Sequence, residues 1–220
     1  MTDPTVSFVI PAKDEEAYLP TTLESLRALD STIPYEVLVV DGNSTDATPS
    51  IAASFDVTVL TQEGGGIGAA RNLGAAHAAG DWLAFVDADT VLRPTYLDTM
   101  VPFARAHHLD ALSSRCRVRG PRRGKLMEVT INHCFSRLAR PILPGFNFLI
   151  ARAVFDATGG FPAVPNEDTA YSRMLGRSYR TAYCPAVLVL TSGRRIAATG
   201  LTGTLYHYAH LDWHRLRAEY

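Results

Sequence analysis

Val6-Ser7-Phe8-Val9-Ile10-Pro11-Ala12-Lys13-Asp14-Glu15-Glu16 runs from an apolar stretch straight into a proline, a base and three acids. A short run of β-branched and aromatic residues without alternation suits a strand covered on both faces. Similar runs recur at residues 37–40, 57–60 and 82–86. The segments between them suit helices. Residues 15–29 place Leu19, Leu23 and Leu26 on one stripe, residues 45–54 follow the capping residues Asn43 and Ser44, and residues 67–79 are rich in alanine. A βαβαβαβ order predicts an α/β fold, Rossmann-like, with a mostly parallel central sheet and helices on both faces.

Beyond residue 90 the pattern loosens. Pro94 opens a predicted helix over 94–107, and residues 110–119 read as a strand with Arg115, Arg117 and Arg119 on one face. Residues 125–139 predict a helix with Leu126, Thr130, Cys134 and Leu138, beside Met127, Ile131 and Phe135, on its core face. Strands are expected over 146–150 and 187–190, and an aromatic, histidine-bearing amphipathic helix over 201–218. There is no internal repeat, low-complexity tract or linker, so one domain is expected over residues 1–220.

Composition narrows the class. The chain has 220 residues, 47% hydrophobic and 20% charged, which describes an ordinary globular protein. The three cysteines, Cys116, Cys134 and Cys184, form neither a disulfide framework nor a zinc motif. The opening Met1-Thr2-Asp3-Pro4 does not read as a signal peptide, and no stretch suits a spanning helix. The expected location is the cytoplasm.

The net charge of −1 conceals an asymmetry: residues 1–60 hold ten acids and two bases, residues 111–140 eight bases and one acid. A basic stretch leading into an amphipathic helix suits either a peripheral contact with the anionic inner face of a membrane or a core helix behind a solvated basic loop. Nucleic acid is not an expected partner, because the bases form one local patch without interleaved aromatics.

Ligands of open parallel sheets bind outside the carboxyl ends of the strands. The segments directly after the four predicted strands are therefore informative: Pro11-Ala12-Lys13-Asp14-Glu15-Glu16, Asp41-Gly42-Asn43-Ser44-Thr45-Asp46, Gly64-Gly65-Gly66-Ile67-Gly68 with Arg71 one turn on, and Asp87-Ala88-Asp89. Three of the four are acidic. Such an edge would repel a bare phosphate, but a divalent cation could bridge its carboxylates to a diphosphate. The glycine run also mimics a dinucleotide fingerprint with Asp87 as its distant acid. Arg71, however, stands at the third glycine position, and the run follows the third strand rather than the first.

The order of these segments resembles glycosyltransferase family 2, whose members have the GT-A fold. Val-Ile-Pro-Ala-Lys-Asp-Glu-Glu (9–16), Val-Val-Asp-Gly-Asn-Ser-Thr-Asp (39–46), Gly-Ala-Ala-Arg-Asn-Leu-Gly (68–74), Val-Asp-Ala-Asp-Thr (86–90) and Gly-Gly-Phe-Pro followed by Asn-Glu-Asp (159–168) are similar to its motifs, in register. The resemblance implies a metal-dependent, inverting transferase that moves a sugar from a UDP- or GDP-linked donor to a carbohydrate or polyprenyl-phosphate acceptor. It divides the chain into a nucleotide-sugar half (1–90), an acceptor and catalytic half (91–200) and the C-terminal helix (201–220).

Residue by residue, the resemblance implies that Pro11, Ala12, Glu15 and Asp41 hold the nucleoside and that Arg71 lies near the nucleotide. Asp87 and Asp89, with Ala88 between them, would bind Mg²⁺ or Mn²⁺ and the diphosphate. Asp168 would be the general base, and Glu167 would orient the acceptor or Asp168. Arg194 and Arg195 suit a diphosphate clamp or a solvated turn. His207 is a candidate further metal ligand or an ordinary helix residue. Asp41 and Asp46 could instead cap the following helix, Glu167 and Asp168 could be helix-N-terminal acids, and Arg71 could be a helix-surface salt bridge.

Overall fold

The computed structural model describes residues 5–120 and 124–194. Arg122, Arg123, Arg195, His207 and the helix expected over 201–218 lie outside the described residues.

The first half follows the βα reading. Strands β1 (Val6–Ala12), β2 (Tyr35–Asp41), β3 (Thr58–Thr61) and β4 (Trp82–Val86) pair in parallel in the order β3-β2-β1-β4, joined by α1 (Leu19–Arg27), α2 (Thr48–Ala53) and α3 (Gly66–His77). Every residue of β1 is buried. Because side chains alternate across a strand, Phe8 and Ile10 enter one core layer and Val9 the other. The Leu19, Leu23 and Leu26 stripe of α1 is buried in the first layer. Each such side chain contributes about 1.5–3 kcal/mol.

Helix α3 closes the opposite layer, and its approach to the sheet depends on Gly74. A Cβ there would clash with Val9 Cγ1 and stand 3.1 Å from Val40 Cγ2. Gly74→Ala is therefore expected to destabilise the protein by about 1–3 kcal/mol, more than the helix-propensity gain of about 1 kcal/mol offsets. Thermal or denaturant unfolding checks this, and an unchanged or raised stability would show that α3 can shift outward.

The second half is less parallel than the sequence suggests. After β5 (Thr90–Leu92) and α4 (Tyr96–Ala106), strand β6 (Ala111–Arg119) leads to α5 (Gly124–Val129). A π-helical stretch (Thr130–Cys134) and a 3₁₀ turn (Phe135–Arg137) continue α5, where one helix over 125–139 was expected. Strand β7 (Asn147–Ala151), α6 (Arg152–Thr158), α7 (Glu167–Ser178) and β8 (Thr181–Ser192) complete the described chain. The whole sheet has the order β3-β2-β1-β4-β7-β6-β8-β5. β7 lies antiparallel to both β4 and β6, β8 is parallel to β6, and β5 is antiparallel to β8.

β8 begins six residues before the expected strand and carries register shifts opposite Arg115, around Pro185. A residue without an N–H is accommodated at such a bulge, which hides the strand from a proline-based reading. The alternate arginines Arg117 and Arg119 do point outward.

Candidate active site

The carboxyl ends of β1, β2 and β4 open into a cavity of about 510 Å³. Pro11, Ala12 and Glu15 line it from the first loop, and Asp87, Ala88 and Asp89 from the fourth. Arg194 reaches it from beyond β8. The other expected residues, Asp41, Arg71, Glu167 and Asp168, stand outside its lining. Lys13 and Gln62 join the wall, as do Met127 and Phe146 from the second half. An apolar residue carries no chemical signal in sequence, so Met127 and Phe146 were not legible. Lys13 was legible only as a member of the first loop, and Gln62 only as a neighbour of the glycine run.

Much of the acidity at this edge serves the backbone. Asp14 Oδ1 accepts from Thr45 N–H (2.8 Å), and Ser44 Oγ accepts from Asp14 N–H (2.9 Å). Asp46 accepts from the N–H groups of Glu16 and Thr48, and Glu16 from Ala47 N–H. These reciprocal bonds tie the first and second loops together, and they delay the start of α2 to Thr48, beyond Asn43 and Ser44. Asp41 is buried, with its carboxylate accepting from the hydroxyl and the N–H of Ser44. Asp46 accepts from Thr48 N–H and also serves the first loop, but the cap position of α2 is Ala47, without a side-chain bond, so neither Asp41 nor Asp46 caps that helix as expected.

Arg71 is no surface salt bridge. It is 2% exposed, donates to Asp87 Oδ1 at 2.9 Å and pairs with Glu167. Its guanidinium lies 5.2 Å from the centre of the Phe161 ring and beneath Gly145, where a Cβ would stand 2.6 Å from Cζ. A fully buried cation between two carboxylates is tolerable because each charge meets its opposite. Arg71 thus links the Asp87-Ala88-Asp89 loop to the start of α7. Glu167 orients toward Arg71, and burial raises its pKa while Arg71 opposes the rise. Asp168 is held by backbone donors, its Oδ2 accepting from Gly145 N–H (2.9 Å) and its Oδ1 from Thr169 N–H (2.6 Å). Both acids lie in the first turn of α7.

Asp89 lies deeper than Asp87, and its pKa is pushed up to about 6 by burial and by the Asp87 carboxylate. Arg194 partly compensates: its Nε is 3.1 Å from Asp89 Oδ2, while its two Nη atoms grip Glu15 and its guanidinium stacks 4.9 Å above the Tyr18 ring. Excess negative charge on two hard oxygen ligands fits Mg²⁺ or Mn²⁺. Among the described residues no group of three His, Cys, Asp or Glu could hold a metal ion. Two carboxylates would therefore leave the other coordination positions to diphosphate and water.

The family described as Glycosyl transferase family 2 matches residues 7–165. The chain is 30% identical over 161 residues to the low-salt glycan biosynthesis hexosyltransferase Agl6 of Haloferax volcanii, covering 71% of this chain and 37% of Agl6. It is 33% identical over 113 residues to the poly(ribitol-phosphate) β-N-acetylglucosaminyltransferase TarS of Staphylococcus aureus, covering 48% of this chain and 20% of TarS. It thus spans well under half the length of these two relatives. The fold matches the crystal structure of TarS 1–349 in complex with UDP-GlcNAc, with a TM-score of 0.72 at 24% identity over 86% of this chain and 59% of that one. It also matches the mannosyltransferase PcManGT of Pyrobaculum calidifontis, in complex with GDP-Man and Mn²⁺, with a TM-score of 0.69 at 24% identity over 87% of this chain and 57% of that one. These neighbours place the mixed α/β sheet in the GT-A fold.

Proposed function

The chain belongs to glycosyl transferase family 2, and from that premise we propose that it is a metal-dependent, inverting glycosyltransferase using a nucleotide-diphospho-sugar. The observation that carries this reading is the pair Asp87 and Asp89 on the wall of a cavity that also includes Pro11, Ala12 and Glu15. That TarS has been crystallised with UDP-GlcNAc, and PcManGT with GDP-Man and Mn²⁺, supports a UDP- or GDP-linked donor and a divalent cation.

The nucleotide-sugar half, residues 1–90, holds the nucleoside through Pro11, Ala12 and Glu15, with Asp41 shaping the turn behind Gly42 and Asn43. Asp87 and Asp89 hold the cation. With Mg²⁺ or Mn²⁺ held by Asp87 and Asp89, the site would gain Lewis-acid stabilisation of the charge that develops on the departing diphosphate. Arg194 turns from Glu15 to the diphosphate, because its planar fork suits phosphate oxygens as well as a carboxylate. Arg195 and His207 remain candidates for the same clamp and for a further ligand.

The acceptor and catalytic half supplies Asp168, which takes the proton of the acceptor hydroxyl as it attacks the anomeric carbon from the face opposite the diphosphate, inverting the configuration. Glu167 and Arg71 act together, with the ion pair holding the first turn of α7 at a set distance from Asp87. The acceptor is a carbohydrate, through its hydroxyl, or a polyprenyl phosphate, whose ionised oxygen would attack without that proton transfer.

A thermal-shift panel of UDP, GDP, their sugar conjugates and NAD(H), each with and without Mn²⁺, tests the reading. A ligand at about one hundred times its Kd adds roughly 2.7 kcal/mol of stability. Stabilisation by one nucleoside diphosphate only when Mn²⁺ is present is the expected result. Stabilisation by NAD(H), indifferent to metal, would overturn it, and failure to hydrolyse the stabilising donor would leave a binding protein rather than an enzyme.

A further inference from the structure

Helix α5 and the turns that continue it bury only part of the face expected to meet the core. Ile131 is buried and Met127 and Phe135 are partly buried, as expected, but Leu126, Val129 and Leu138 are 48%, 50% and 47% exposed. Cys134 is exposed with them. The cause is the free edge of β6. That strand pairs with β7 only through Ala111 and Leu112, so its later backbone groups on that side need other partners. Asn132 supplies them for Cys116, accepting from its N–H at 2.9 Å and donating to its carbonyl at 2.8 Å. Glu128 accepts from Val118 N–H at 2.9 Å. Glu128 and Asn132 are four residues apart and take the inner face, which turns the aliphatic side chains outward.

The charges on the outward face have one sign. Lys125, His133 and Arg137 are exposed on the same turns, with Lys125 Nζ 3.0 Å from Glu128 Oε2, whereas Arg140 lies against Gly176 of α7, and Arg117 and Arg119 point away from the face of β6 that carries Cys116 and Val118. Between residues 111 and 155 the sequence contains one acid, Glu128, and that is the residue turned inward.

We propose that this face docks on an anionic lipid bilayer. Basic side chains around exposed aliphatic ones match the chemistry of the headgroup boundary, where phosphate meets acyl chain. A soluble polyanion would use the arginines and leave Leu126, Val129 and Leu138 in water. On its other side α5 presents Met127 to the cavity, so docking brings the cavity within about one helix diameter, roughly 10 Å, of the bilayer surface. The consequence, an acceptor presented at the membrane, rests on the transferase reading; the docking itself does not.

Co-sedimentation of the full chain with vesicles decides the matter. The wild type is expected to sediment with phosphatidylcholine vesicles containing phosphatidylglycerol and to stay in solution with phosphatidylcholine alone. Leu126→Ser with Val129→Ser, and separately Lys125→Gln with Arg137→Gln, are each expected to weaken that partition by at least about tenfold. Both variants are expected to keep their thermal shift with nucleoside diphosphate and Mn²⁺, which separates loss of docking from loss of the donor site. No sedimentation of the wild type with the anionic vesicles at low salt would overturn the proposal. So would binding that survives the aliphatic substitutions and is matched by soluble polyphosphate. The comparison of vesicle compositions needs no variant and stands even if a substituted chain fails to fold.

Discussion

Asp168→Asn is expected to cut kcat by at least about two orders of magnitude while leaving donor binding intact, the scale on which a general base acts. The structure makes this substitution a clean one. Asp168 lies outside the lining of the donor cavity, so exchanging its carboxylate for an amide removes a proton acceptor without reshaping that wall. Its two oxygens accept from Gly145 and Thr169 N–H groups. The amide oxygen of Asn can keep one of these bonds, and loss of the other costs about 1 kcal/mol of stability. Steady-state kinetics with the donor identified by thermal shift, together with donor affinity measured separately, checks the prediction. A loss of only a few-fold would place the base elsewhere, and a parallel loss of donor affinity would show that the first turn of α7 had moved.

The second large effect concerns Asp89. Asp89→Ala is expected to weaken Mn²⁺-dependent donor binding by at least roughly a hundredfold. Two features of the site make the result interpretable. Arg194 keeps both of its contacts with Glu15 when Asp89 is removed, so the segment after β8 retains an anchor. Burial and the neighbouring Asp87 carboxylate already oppose the ionisation of Asp89, so removing it is expected to leave folding stability unchanged or slightly higher. Calorimetric titration of Mn²⁺ and nucleoside diphosphate, with a melting curve of the same sample, separates the two effects. Full retained affinity would remove Asp89 from the cation site. A collapse of the melting temperature would mean that its contact with Arg194 holds the loop together.

How far these residues were legible varied with the range of the interaction involved. Asp87 and Asp89 were readable because a strand end followed by two acids is a local pattern, and the parallel topology then sends every such end to one edge. The stripe of α1 and the all-buried β1 were readable for the same reason, since periodicity within one element decides which face is covered. β5 has three residues and α6 seven, too few to show a period, and β8 was shortened in the reading because Pro185 sits at a bulge.

Three features needed the assembled fold. Nothing in the sequence says that β7 inserts antiparallel between β4 and β6, because strand neighbours are chosen by packing among distant segments. Arg71 reads as an exposed or ligand-facing base on an alanine-rich helix. Only tertiary contact brings Asp87, Glu167 and the bare backbone of Gly145 around it, and a charge can be buried only where opposite charges already wait. Likewise the outward turn of Leu126, Cys134 and Leu138 departs from the helical pattern expected over residues 125–139. It arises from the free edge of β6, whose backbone groups claim Glu128 and Asn132. Local pattern and motif spacing were enough to give the order of elements over the first ninety residues and the family. Which polar group meets which was settled in three dimensions, because an unpaired buried hydrogen-bonding group or charge costs more than an exposed aliphatic side chain.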